Sequence, residues 1–281
     1  MFLSKLILGV PNNISINRNK ASLNQLLLNG CQECFWLILK GAQSCSFALS
    51  VFVVLAISKH LTILGLPRYD FILLMLILVQ ASLILFKQES LKELKVICIF
   101  HVLGFILEYF KTQPDIGSWV YPELAYSKIA GVPLYSGFMY SAVASFLLQM
   151  WRRCSVFLEG YPSFYKAFLI AGAIYLNFFT HHFVTDVRWW LMGILVLLFW
   201  QTRIYITPYR NTLSLSVPSC LVLCGLLLWV AENIATYFGA WAYPNQLQAW
   251  EIVHWGKVVS WSLLMVVTFV VVAQFKLKNL G

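Results

Sequence analysis

Charge is scarce in this sequence. Asp, Glu, Lys and Arg make up 11% of its 281 residues, where a soluble domain carries roughly 25%. Acidic residues are the rarer sign, with 11 Asp and Glu against 20 Lys and Arg. Mean hydropathy is +0.76 and 60% of the residues are hydrophobic. One water-facing core cannot bury that much apolar surface, so the bilayer is the expected solvent. Strand-like alternation is also missing. The apolar runs are continuous over about 17–22 residues, which selects spanning helices over a barrel.

Further absences narrow the chemistry. There is no G-x-S-x-G, no phosphate-cradling glycine loop and no Ser/His/Asp set at interpretable spacing, so nucleotide binding and ordinary hydrolysis are unsupported. The seven cysteines hold a single C-x-x-C, Cys31 and Cys34, with no second pair or His pair to complete a zinc site. His60, His181, His182, Asp70 and Asp186 fall on one expected side of the membrane. A two-iron membrane hydroxylase needs H-x-x-H-H motifs, and five His occur here without one. They read as interfacial histidines, and neither metal nor cofactor is expected. Residues Phe2–Val10 and Leu23–Leu28 are short apolar patches split by the polar stretch Pro11–Lys20. That is not a cleavable signal peptide, and an interfacial segment or disorder are the two readings of this stretch.

What is present divides into eight expected spans, near residues 42–60, 69–86, 94–111, 133–151, 163–180, 187–206, 215–236 and 254–274. The breaks carry proline or charge: Pro67, the cluster Lys87–Lys95, Pro114 to Pro122, Arg152–Arg153, His181–Asp186, Pro208–Arg210 and Pro244. The net charge of +9 sits in those breaks, so nucleic acid is not an expected partner. Of the 20 Lys and Arg, 14 fall on the side holding both termini and 6 on the other. The excess places both termini in the cytoplasm.

The chain also repeats itself. Glu108 and Thr112, then Gly117, Trp119, Tyr121 and Pro122, spell E-x-x-x-T, a spacer, and G-x-W-x-Y-P. Glu232 and Thr236, then Gly239, Trp241, Tyr243 and Pro244, spell it again. The offset is 124 residues at the Glu and 122 at the Pro. Weaker matches lie upstream, Asp70 with Asp186 and Ser46-Phe47 with Ser163-Phe164. The expected fold is an all-α polytopic bundle of two parallel four-helix repeats, residues 42–152 and 153–281, after a cytoplasmic or interfacial segment 1–41.

The candidate site residues follow from this pattern. His101, Gly104 and Glu108 share one face of the third span, with Thr112 a turn further along. Trp229, Glu232 and Thr236 share a face of the seventh. A membrane carboxylate costs about 2.5 kcal/mol at mid-depth on insertion scales. It therefore faces the bundle or a water-filled cavity, as a candidate proton donor, unless it is an interfacial group bonded to a neighbour. The eighth span opens with His254, Trp255, Gly256 and Lys257, followed by Ser260 and Trp261. Lys257 either pairs with Glu232 or snorkels to the surface. Trp119, Tyr121, Trp241 and Tyr243 either shape interfacial turns or line the mouth of a site.

The strings EYFKTQPDIGSWVYPE, GVPLYSGFMYSAVASFL, AENIATYFGAWAYPNQ and VHWGKVVSWSLLM resemble the YoaT-like family of bacterial membrane proteins. The resemblance runs over nearly the whole chain after about residue 30, and implies a multi-pass membrane protein. A shorter stretch, Gly117-x-Trp119-x-Tyr121-Pro122 then Gly131-Val132-Pro133-Leu134, looks like the membrane lycopene cyclases and related carotenoid hydratases. Those proteins protonate an isoprenoid chain and carry a pair of Glu after the Pro-Leu, where this chain has Tyr135-Ser136. The likeness implies an acid supplied by Glu108 and Glu232, and ring faces of Trp119, Tyr121, Trp241 and Tyr243 against a cationic intermediate. Three readings stay open: a lipid- or isoprenoid-modifying membrane enzyme, a transporter of a small solute using the Glu pair, and an accessory membrane protein. In the enzyme reading Glu108, Glu232, His101 and Lys257 are the reacting groups. Thr112, Thr236, His254 and the four aromatics then contact the substrate. The partners expected are the bilayer and a lipid or small-solute ligand.

Overall fold

The computed structural model of the chain describes residues 23–61 and 65–279, so the patch Phe2–Val10 and its surface placement lie outside the described residues. Nine α-helices are described: α1 (Leu23–Ser44), α2 (Ser46–Ser58), α3 (Arg68–Leu85), α4 (Leu91–Lys111), α5 (Ser136–Arg153), α6 (Phe164–Thr180), α7 (Arg188–Phe199), α8 (Val217–Tyr237) and α9 (Lys257–Asn279). Three of them, α3, α8 and α9, are long and apolar enough to cross a membrane. The bent pair Asn29–Ser44 and Ser46–Ser58 makes a fourth crossing if it is one span. The chain is therefore a mostly helical protein with several membrane-spanning candidates. Length and composition do not reach eight among the described residues. The polar ends of α4 and α5 lower their hydropathy, and α7 at 12 residues reaches only about 18 Å against a hydrocarbon core of about 30 Å.

Two expected spans are redrawn. The first, 42–60, is broken at Cys45, where α1 and α2 meet at 58°. The sixth, 187–206, stops at Phe199, and Arg203–Ile206 leaves the helix as a strand, β4. It pairs antiparallel with β3 (Phe157–Glu159) and β5 (Leu213–Ser216) in a three-stranded sheet. The alternation Arg203-Ile204-Tyr205-Ile206 before a proline turn is a strand signal hidden inside a longer apolar run. A two-residue hairpin, β1 (Lys128–Ile129) and β2 (Val132–Pro133), precedes α5. The expectation of an all-helical fold is corrected by these two small sheets.

Helix α9 is the central post. Buried Leu263, Val266, Val267 and Val270 join it to α4–α8 in one apolar cluster. In α9 61% of the spanning window is buried inside the protein, against 22% in α8 and 28% in α3. The outer helices thus turn Leu74, Ile77, Leu78, Val222, Leu226 and Val230 outward, an apolar belt that fits lipid and not water.

Both ends of the bundle are tied by charge. At one end buried Glu93 completes a capping box with Ser90 and accepts from Lys276 Nζ at 2.8 Å and Arg152 Nη1 at 3.1 Å, joining α4, α5 and α9. At the other end Arg68 pairs with Glu123 and donates to the carbonyls of Phe238 and Gly239. Asp70 accepts from the backbone N–H groups of Tyr126 and Ser127.

Candidate site: two buried carboxylates beside an apolar groove

The E-x-x-x-T spacing has a local cause. Thr112 and Thr236 each return their hydroxyl to the carbonyl of the Glu four residues earlier, at 2.9 and 3.0 Å. They finish the helices in this way, and neither lines the cavity. Beyond each helix the glycine of G-x-W-x-Y-P takes a left-handed turn, φ +53° at Gly117 and +68° at Gly239, which side-chain-bearing residues rarely adopt. The two strings then meet. Val120 and Ala242 exchange both backbone hydrogen bonds, at 2.9 and 3.0 Å.

This turn folds the aromatic residues back over the carboxylates. Glu108 accepts from Trp119 Nε1 at 2.6 Å, from the Tyr121 hydroxyl at 2.7 Å and from the Tyr140 hydroxyl of α5 at 2.7 Å. Glu232 accepts from the Tyr243 hydroxyl at 2.6 Å and from Trp261 Nε1 of α9 at 2.8 Å. Both carboxylates are buried. In each, Oε2 faces an indole N–H, which can only donate, while Oε1 faces a tyrosine hydroxyl, which can donate or accept. The Oε1 atoms are thus the ones able to gain or lose a proton without leaving a donor stranded.

Lys257 does not form the ion pair with Glu232 that its position invited. The carboxylate is already occupied by Tyr243 and Trp261. The ammonium sits instead 4.6 Å from the Tyr243 ring centre and 5.3 Å from that of Trp119, a cation–π arrangement. Among the described residues nothing accepts a hydrogen bond from it.

These groups line a cavity of about 160 Å³. Of the residues expected from sequence, Glu108, Trp119, Glu232, Trp241, Tyr243 and Lys257 meet there. Tyr121 stands behind Glu108. His101 lies outside, edge-on to Phe138 and against Gly137 of α5, and His254 is exposed beside Trp255. Tyr140, Trp261, Lys111, Arg188 and Ser260 also line the cavity, and the sequence reading gave none of them a role. Tyr140 and Trp261 were findable, because they stand 121 residues apart, close to the repeat offset.

The cavity lies toward the α6–α7 turn. There Lys111 Nζ reaches Nε2 of His182 at 2.7 Å and of His181 at 3.3 Å. Burial first, and then the Lys111 ammonium, hold both imidazoles below their ordinary range. Burial raises the Asp186 carboxyl, but the Arg188 N–H, the Asn177 amide and the Arg188 guanidinium outweigh it and hold it below the ordinary carboxylate value. Of the His and Asp residues expected on this side, His181 and His182 thus meet Lys111, Asp186 meets Arg188, and Asp70 meets the backbone of Tyr126 and Ser127.

A second concavity, of about 330 Å³ and almost wholly apolar, runs between α2, α5 and α8. Leu49, Leu227, Val230 and Ile234 are exposed along its rim, on the outer face of the bundle. It shares Met139, Glu232, Trp241 and Trp261 with the polar cavity. Glu108 is absent from this shared wall, so of the two carboxylates only Glu232 borders both spaces.

A family model described as protein of unknown function, DUF817, matches residues 33–269. The chain belongs to this family. The uncharacterized protein YoaT of Bacillus subtilis (strain 168) is 51% identical over 239 residues, 84% of this chain and 88% of that relative. The resemblance seen in the sequence is thereby established, and it spans both carboxylates and both aromatic strings of this DUF817 member. No solved structure matches. The local likeness to the membrane lycopene cyclases finds no counterpart among these matches.

Proposed function

We propose that this chain is a polytopic membrane enzyme that admits a lipid-soluble substrate from the bilayer and modifies it by proton transfer at Glu232. One observation carries the reading: Glu232 stands in the wall common to the polar cavity and the apolar groove. A hydrophobic molecule entering between α2 and α8 meets a buried carboxyl without crossing water. Tyr243 holds Oε1, the titrating oxygen, and Trp261 fixes Oε2. Glu108, with three donors on it, is the better-saturated carboxylate and serves as the fixed negative charge of the pair. The ring faces of Trp119 and Tyr243 already hold the Lys257 ammonium, and with Trp241 they suit a positive charge in the reacting molecule.

The architecture that goes with this is two four-helix units, crossing eight times with both termini in the cytoplasm of a bacterial cell. Three features support the repeat. The Val120–Ala242 bridge joins equivalent residues of the two strings, as a two-fold axis through it requires. Tyr140 and Trp261 each donate from the following helix to the Glu of the helix before, to Oε1 and Oε2 respectively. Gly137 of α5 abuts the His101 carbonyl, and Gly225 of α8 abuts Ser262 and Val258 of α9. The close crossing recurs with the glycine on the opposite partner.

The test is mass spectrometry of total lipid extracts from cells expressing wild type, Glu232→Gln, Glu108→Gln or an empty vector. A lipid species made only by wild type and lost in Glu232→Gln is expected. Unchanged extracts from cells holding abundant folded protein overturn the enzyme reading. They leave the polar cavity between the two units as a site for a transported solute.

A further inference from the structure

We infer that the polar cavity and the apolar groove hold one molecule between them, an amphiphile with an oxyanion head, carboxylate or phosphate. The head is bound by Lys257 and Lys111, and the tail lies between α2 and α8. This rests on reading the groove as the substrate's entry, and adds the chemical class of its head.

The cavity contains both signs of charge, but the two signs are not equally available. The oxygens of Glu108 take three donors and those of Glu232 take two, all from Trp and Tyr side chains packed around them. The donors are less committed. The Lys257 ammonium touches ring faces only. Lys111 has three N–H donors and two nearby partners, His181 and His182. Arg188 is paired with Asp186 yet still reaches Ser260 with Nη1, at 3.4 Å. Lys257 is also the first residue of α9, whose positive dipole end therefore adjoins the same space. An entering molecule finds cationic donors with unused N–H groups, and carboxylate oxygens that each already accept from at least one Trp or Tyr. A neutral head leaves the half-buried ammonium without a charged hydrogen-bond acceptor, whereas an oxyanion supplies several.

The tail follows from continuity. Glu232, Trp241, Trp261 and Met139 face both spaces, so a head at Lys257 places the next atoms against Trp241 and Trp261. Beyond them lie Ala231 and Leu228 of α8, then Phe52 of α2. Beyond Trp241 and Trp261 that path is lined by apolar side chains, which points to one head and an unsubstituted chain.

The experiment uses the full chain purified in a maltoside detergent, whose own head is uncharged, with labelled dodecyl phosphate as the probe. Unlabelled dodecyl phosphate, dodecanoate, dodecanol and inorganic phosphate compete for the site. Either oxyanion amphiphile is expected to displace the probe at concentrations about tenfold or more below dodecanol, the step one charge-assisted contact gives. Inorganic phosphate, without a tail, should compete weakly. Lys257→Gln should lose about tenfold for the oxyanions and nothing for dodecanol, while Lys257→Arg stays within about threefold. Ala231→Phe should weaken every amphiphile. Melting curves identify variants that fail to fold, and Lys111→Gln gives the same test from the other donor. Equal competition by dodecanol overturns the oxyanion head and leaves a lipid substrate standing. Inorganic phosphate competing as well as dodecyl phosphate overturns the amphiphile and the lateral groove together. Absence of saturable binding overturns the inference, while the lipid extracts decide the enzyme reading separately.

Discussion

Removing the Glu108 carboxylate separates two accounts of the pair of buried acids. In Glu108→Ala, Trp119, Tyr121 and Tyr140 all lose their acceptor inside the bundle. Each stranded donor costs about 1–3 kcal/mol, so the three together give about 3–9 kcal/mol. In Glu108→Gln the amide oxygen has two lone pairs for Trp119 and Tyr121, and the amide nitrogen faces the Tyr140 hydroxyl, which turns to accept. What is lost there is charge assistance, partly offset by burying a neutral group, leaving about 1–2 kcal/mol. The measurement is reversible unfolding in mixed detergent micelles, followed by tryptophan fluorescence. A gap of about 2 kcal/mol or more between Ala and Gln is expected. Near-equal destabilisation refutes the argument, because it means the three donors find other acceptors once the carboxylate is gone.

Two further outcomes follow from the packing and the charges. A methyl group at Gly225 meets Val258 O at 2.9 Å and Ser262 N at 2.8 Å. Both are backbone atoms that cannot swing away, so Gly225→Ala should lower stability by about 1–3 kcal/mol. Gly172→Ala, with open space at its Cβ, should be silent in the same unfolding assay. Stability should also fall as pH drops below about 6.5, the unfolded imidazole value. His181 and His182 resist protonation when folded, so the unfolded chain binds protons first and the slope of stability against pH is positive there. Melting temperatures from pH 8 to pH 5 should show this slope, and His181→Gln with His182→Gln should flatten it. An unchanged slope in the double variant would place the effect elsewhere.

The sequence exposed the parts of the site that belong to one string and hid those that come from another helix. Glu108 with Trp119 and Tyr121, or Glu232 with Tyr243, lie within 13 residues of each other, and the repeated motif marked them together. Tyr140 reaches Glu108 over 32 residues and Trp261 reaches Glu232 over 29, and no periodicity within a helix reports such a contact. Lys257 shows the limit of reading pairs from proximity: the opposite charge was near, but its oxygens accept from Tyr243 and Trp261, and the ammonium sits over ring faces. His101 shared a helix face with Glu108, yet it lies seven residues back along α4, roughly 10 Å away, where it packs on Gly137 and Phe138 of α5. The helices themselves were visible as apolar runs. The sheet was not, because Arg203–Ile206 carries β-branched and aromatic residues that a hydropathy window counts as more helix.

The Val120–Ala242 bridge bears on which positions of the string can vary. It is an isologous contact of the kind found in symmetric dimers: each surface serves as its own complement. Only main-chain atoms pair across it, so the side chains at 120 and 242 are free to differ, and here they are Val and Ala. The glycines that turn into the bridge and the tyrosines that leave it to meet a carboxylate have no such freedom. Within this chain, then, the letters of G-x-W-x-Y-P divide by what the contact demands, and its central x is the position the contact leaves open.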